Sequence, residues 1–193
     1  MYPRGNTPDQ GKLSDYEELI RSWAGRLDLI SPGDLGRLHE RHIADSLRAL
    51  ELVRDAPEGP CIDVGSGAGL PGIPLAIASG RLWRLLEPRS RRAAFLDEVI
   101  RTLELDCEVL RVTAEAAARD PRLSRAHAVA TARALAPPEA AFELLTPLVA
   151  PGGRAVVFHG PEAELPSRAE RSAPGLATIV APAHPSLPRE EPD

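Results

Sequence analysis

The chain has 193 residues, 43% of them hydrophobic and 26% charged, with a formal net charge of −5. That suffices for one α/β domain with an N-terminal extension; no apolar run approaches the ~18 residues of a membrane span, and the two cysteines, Cys61 and Cys107, lack metal-site spacing. All but one of the 23 basic residues are arginine, Lys12 being the exception, so this acidic chain can still hold a polyanion wherever its arginines cluster.

Residues 1–12 are polar, carry no apolar signal core, and are expected to be disordered; with cysteine usage that suits a reducing compartment, they predict a cytoplasmic protein. Ser14 to Glu17 reads as a capping box. Tyr16, Leu19, Ile20, Trp23, Leu27 and Ile30 recur at helical spacing, which predicts a helix to about Leu29. Ser31 to Asp34 breaks it, and a second helix follows with Leu35, Leu38, Ile43, Leu47 and Leu50 as its packing stripe. His39, Arg41, His42, Asp45 and Ser46 form its polar band. His39 and His42 stand three apart, but no cysteine or third histidine is placed to complete a metal site, so no metal is expected. Residues 13–57 are thus predicted to pack as helices on a sheet domain spanning 58–160.

Cys61 to Val64 reads as a buried parallel strand. Gly65, Gly67 and Gly69 follow in one short loop, which lets a ligand touch the backbone. Pro71 and Pro74 are tolerable only in a first helical turn, so a helix is expected from about Leu70 or Pro71, its positive end toward the glycines. Two ligands compete for such a loop. Gly67, Gly69 and Gly72 satisfy G-x-G-x-x-G, the dinucleotide fingerprint. Against it, Asp63 at the strand's end would repel a diphosphate and attract the ammonium group of an amino-acid-bearing cofactor, which favours S-adenosylmethionine. Glu87 closes the next apolar run about 20 residues beyond the glycines, where an acid accepts ribose hydroxyls from either ligand.

After the basic run Arg89 to Arg92, Phe95, Leu96, Val99, Ile100 and Leu103 give a helix its buried face. Strands are predicted at Glu108 to Val112, His127 to Thr131 and Arg154 to Phe158, with a helix from Pro138 to Val149. The alternation predicts a doubly wound, Rossmann-like α/β domain with ligands at the carboxyl ends of a parallel sheet. Asp63, Glu87, Glu115 and Arg133 fall at such ends. Arg133 could orient a target base or a cofactor carboxylate, or could simply pair with Glu87 or Glu115. Arg81, Arg84, Arg89, Arg91 and Arg92 form the densest basic cluster, either a solvated face or a grip on phosphates. Residues 161–193 form a proline-rich tail in which only Ala177 to Val180 could pair as a strand; the last dozen residues are expected to be disordered.

Four stretches together resemble one bacterial family: Arg41-His42-Ile43-Ala44-Asp45-Ser46-Leu47, the run from Asp63 through Gly72 to Ala76, Arg91-Arg92-Ala93-Ala94-Phe95-Leu96, and Thr131-Ala132-Arg133-Ala134. The family is the 16S ribosomal RNA guanine-N7 methyltransferases, also called glucose-inhibited division protein B, and the resemblance runs from about Tyr16 to Gly160. It implies a class I AdoMet-dependent methyltransferase fold with an N-terminal helical extension. It also implies methylation of N7 of one guanine in a decoding-site loop of 16S rRNA in the small ribosomal subunit, with S-adenosylhomocysteine as the product; a monomer is expected. On the resemblance, cofactor contacts fall at Gly65, Leu70, Ala114, Glu115 and Arg133, with Glu87 as the ribose acid, beside Asp63, Gly67 and Gly69 read from the loop itself. Arg133 would also position the reactants. Arg41, His42, Asp45, Arg91, Arg92 and His159 are the candidate RNA contacts, with the alternative that His42 and Asp45 fasten the N-terminal helices across the cofactor pocket. Thr113, Ala132 and His159 stand where the family usually carries arginine, serine and lysine, and its C-terminal strand pair is hard to find in the tail. Two other classes compete: an NAD(P)-dependent oxidoreductase, for which the chain has no Tyr-x-x-x-Lys pair, and a non-catalytic AdoMet- or RNA-binding module.

Overall fold

Seven strands form one sheet in the order β3-β2-β1-β4-β5-β7-β6, in a computed structural model that describes residues 8–183. β1 (Cys61–Val64), β2 (Trp83–Leu86), β3 (Cys107–Leu110), β4 (His127–Arg133) and β5 (Val149–Phe158) run parallel. β6 (Glu170–Ala173) and β7 (Leu176–Val180) make a hairpin, with β7 antiparallel to β5. The hairpin corrects the reading of residues 161–193 as a tail with at most one strand. Glu170–Ala173 is polar and mostly exposed, so it is a strand only because β7 offers it a ladder, and no side-chain pattern announces it. Of the ends expected to be disordered, residues 1–12 and the last dozen, residues 1–7 and 184–193 lie outside the described residues.

Helices cover both faces. α4 (Gly72–Ser79) and α5 (Ser90–Leu103) share one face with the N-terminal helices, around Tyr16, Ile20, Leu38, Ile73, Trp83 and Phe95. α6 (Ala114–Arg119) and α7 (Pro138–Leu145) cover the other, around Ile62, Val64, Phe142, Leu145 and Val157. Side chains alternate along a strand, so Asp63 shares the face of Cys61, toward α4 and the N-terminal helices, and not that of Ile62 and Val64.

The N-terminal segment departs from expectation in three places. α1 spans Gln10–Trp23, because the side chain of Asp9, not Ser14, accepts the Lys12 amide at 3.1 Å; residues 10–12 are therefore helical. The helix stops six residues short of Leu29, with Gly25 just beyond it, and Leu27, Leu29 and Ile30 reach the core from a turn instead. The second helix is broken into a 3-10 turn (Pro32–Arg37), a π turn (His39–Ile43), α2 (Ala44–Leu47) and α3 (Leu50–Arg54). Gly33 and Gly36 weaken regular helix there, and the Ser46 hydroxyl takes the His42 carbonyl at 2.6 Å. π turns of this kind concentrate at functional sites.

Candidate functional site

The loop after β1 separates its glycines by role. Gly67 (φ +57°) is the open one: a Cβ there would meet nothing nearer than 3.8 Å. Gly69 (φ +90°) is closed, since a Cβ would lie 2.6 Å from Ile73 Cγ1, 3.0 Å from the Tyr16 hydroxyl and 3.1 Å from Leu96 Cδ2. Gly69 therefore lets the loop pack against the core. The side of Gly69 where a Cβ would stand faces α1, α4 and α5, and Gly69 is not among the residues that line the cleft.

Asp63 also differs from expectation. Its side chain is 1% exposed. Oδ1 accepts the Thr131 hydroxyl at 2.7 Å and Oδ2 accepts the Gly72 amide at 3.3 Å. Burial pushes its carboxyl up to about 6, against the hydrogen bonds and Arg133, which pull the other way. The carboxylate is thus buried, with both oxygens accepting hydrogen bonds from the chain itself. It still bears on ligand choice by another route: Gly72 is the first residue of α4, so Asp63 already occupies the helix N-terminus on which a dinucleotide fold seats its pyrophosphate.

Glu87, 2% exposed, supports the loop from β2: Oε2 accepts the Gly67 amide and Oε1 the Arg89 amide, each at 2.9 Å. A carboxylate offers about four acceptor positions, of which these two amides take two.

Above the loop lies a cleft of about 440 Å³. Gly65, Ser66, Gly67, Ala68 and Leu70 form one wall; Asp34, Arg41, His42 and Asp45 form the other, with Arg92 and Arg133 between. Arg133 ends β4, and Ala134 (φ +51°) turns the chain sharply after it, a left-handed geometry of the sort that clusters at binding sites. The Arg133 guanidinium lies 3.1 Å from His42 Nδ1 and 3.6 Å from Asp45 Oδ2. Its partners are therefore in the N-terminal segment; neither Glu87 nor Glu115 pairs with it. Burial, then the Arg133 charge, pushes His42 below its ordinary range. Arginine can only donate, so His42 Nδ1 accepts and its proton sits on Nε2, 3.7 Å from Asp34 Oδ2. Arg41 pairs with the same Asp34 at 2.9 Å.

The remaining candidates are dispersed. Ala114 and Glu115 sit in the first turn of α6 beside a separate hollow of about 230 Å³. Arg91 donates to the Arg26 carbonyl, and Arg92 to the Asp28 carbonyl, at 2.7 and 2.8 Å. His159 follows β5, where Nδ1 lies 2.7 Å from the Gly160 carbonyl. Thr113, in place of the family's arginine, caps α6 by accepting the Ala116 amide. Sequence reasoning missed Thr131, Asp34 and the Tyr16 hydroxyl, which donates to the Ala68 carbonyl at 2.5 Å. Thr131 carried a signal: it is a hydroxyl in an otherwise apolar run, aligned with Asp63. Among the described residues no group of three or more His, Cys, Asp or Glu side chains could hold a metal ion, and no helix is long and apolar enough to cross a membrane.

A family model described as rRNA small subunit methyltransferase G matches residues 9–188. A relative from Granulibacter bethesdensis, named ribosomal RNA small subunit methyltransferase G, is 42% identical over 154 residues, covering 79% of this chain and 69% of its own length. One from Acidiphilium cryptum with the same name is 40% identical over 165 residues, covering 82% and 72%. Among solved structures, a Corynebacterium glutamicum protein aligns with a TM-score of 0.61 at 12% identity over 94% of both chains. A putative methyltransferase from Escherichia coli aligns at 0.56 and 16%, covering 82% of this chain and 91% of its own. These structural likenesses show the fold, a doubly wound Rossmann-like α/β sheet.

Proposed function

The chain belongs to the rRNA small subunit methyltransferase G family, and on that premise we propose that it methylates N7 of one guanine in 16S rRNA of the small ribosomal subunit, with S-adenosylmethionine held in the cleft beside Gly67. It is an rRNA methyltransferase that uses this cofactor; the target atom, the subunit, the seating of the cofactor, the monomeric state and the cytoplasmic location are the proposal. The observation that carries the seating is the Asp63–Gly72 contact. It fills the helix N-terminus a diphosphate would need, while the loop beside Gly67 stays open to a ligand without one. That also tells against the oxidoreductase alternative.

When bound, S-adenosylmethionine supplies a methyl group on a positively charged sulfur, and guanine N7, which has an exposed lone pair, needs no general base to accept it. What the chain itself must supply is placement, which can contribute up to ~7–11 kcal/mol when geometry is ideal. Glu87 fixes the Gly67 backbone and keeps acceptor positions for a ribose. Arg133, held by His42 and Asp45, orients the cofactor carboxylate or the target base.

The arginines sort into two groups. Arg81 is taken up by the carbonyls of Val53 and Gly59, and Arg84 by His127 and Glu108. Arg26, Arg89, Arg91 and Arg92 border a groove of about 370 Å³ that meets the cleft at Arg92; Arg91 and Arg92 each give one N–H to a backbone carbonyl there and keep others to donate. We assign this groove to RNA phosphates, with Arg41 and His42 at the cleft mouth.

The test is transfer of labelled methyl to small subunits that lack the modification. The expected product is one N7-methylguanine in 16S rRNA, mapped by borohydride reduction and aniline cleavage. Label at another atom would refute the N7 assignment. Cofactor binding without any transfer would favour the non-catalytic module.

A further inference from the structure

We propose that Tyr16 is a positioning residue for the cofactor loop, delivered to it by α1 from outside the sheet domain. The proposal rests on the reading that this cleft takes S-adenosylmethionine. Tyr16 is fully buried, and its hydroxyl donates to the Ala68 carbonyl at 2.5 Å. Ala68 stands between Gly67, which opens to the cleft, and Gly69, whose missing Cβ makes room for the same hydroxyl. The loop's own turn uses the carbonyls of Ser66 and Gly69, which accept the amides of Gly69, Leu70 and Ile73. The Ala68 carbonyl is left to Tyr16. Burial holds the phenol well above its ordinary range, so it stays a donor at neutral pH.

Helical periodicity asks only for a large apolar side chain at this position, and phenylalanine would fill the same space. A buried hydroxyl costs free energy unless it is paired, so its partner matters. Here the partner is the segment that must hold still. Gly67-Ala68-Gly69, an alanine between two glycines, has wide backbone freedom. Glu87 restrains its first amide, and Tyr16 restrains its centre. Without the hydroxyl, a smaller fraction of molecules carries the loop in its receiving geometry, and apparent affinity falls in proportion to that fraction. Binding and the docking of α1 are then linked: a ligand that fixes the loop also fixes Tyr16.

The test measures S-adenosylhomocysteine binding to Tyr16→Phe by calorimetry, with circular dichroism to confirm the fold. Binding is expected to weaken about tenfold, as for a competent fraction reduced to about one-tenth. Ile20→Val, in the same helix and also buried, trims packing without touching the loop; it should lower the melting midpoint while leaving affinity within about twofold. In the wild type, hydrogen exchange of α1 amides should slow when S-adenosylhomocysteine is added. Unchanged affinity in Tyr16→Phe, an equal loss in Ile20→Val, or no slowing in α1 would overturn the role of Tyr16. A wild-type chain that binds no S-adenosylhomocysteine would instead remove the cofactor reading beneath it.

Discussion

Replacing Arg133 with alanine is expected to lower kcat/KM for small-subunit methylation by about two orders of magnitude, roughly 2.7 kcal/mol of transition-state placement. The fold should survive the change. Asp45 keeps Arg48 as a partner at 2.8 Å, burial alone still pushes His42 toward its neutral form, and Asp63 keeps its hydrogen bonds from Thr131 and Gly72, so no buried charge is left without a partner. What is lost is a guanidinium fixed at two points where the cleft meets β4. Arg133→Lys tests whether charge alone suffices. Lysine is a point charge without the planar fork, so it cannot serve His42, Asp45 and a reactant together, and activity is expected nearer to alanine than to arginine. Steady-state kinetics with melting curves on both variants separate the outcomes. Full activity with a normal melt would remove Arg133 from the site.

Gly69→Ala is expected to act on stability first. Its φ of +90° and the 2.6 Å approach to Ile73 Cγ1 set two costs against an added methyl. A left-handed alanine costs roughly 1–2 kcal/mol, and overpacking adds about 1–3 kcal/mol. Denaturant unfolding should show a loss of about 2–5 kcal/mol. Gly67→Ala has only the backbone term, because its Cβ would make ordinary contacts, none nearer than 3.8 Å; it should lose about 1–2 kcal/mol and act mainly on ligand binding. If the two variants were equally destabilised, the division between a packing glycine and a cleft glycine would be wrong.

Much of the fold could be read from the chain. The strand, loop and helix around Gly65–Pro71, the acid at the end of β2 and the arginine at the end of β4 all rest on local chemistry, and local chemistry is what a sequence displays. Misreadings arose where a partner decides. Glu170–Ala173 is a strand only beside β7. Asp63 looked like a ligand group because its position was visible, while the Thr131 hydroxyl and the Gly72 amide that claim it lie across the sheet and across the loop. The same holds for Arg133, whose partner His42 comes from the N-terminal segment, 91 residues away in sequence. Tyr16 gave no sign of its hydroxyl's use, because a helical stripe needs only the ring.

The most direct test of the account is a calorimetric titration of the purified chain with S-adenosylhomocysteine and, separately, with NAD. With Asp63 seated on the first amide of α4, S-adenosylhomocysteine should bind at one site per chain and NAD should give no binding heat. Saturable NAD binding, with S-adenosylhomocysteine inert, would contradict it.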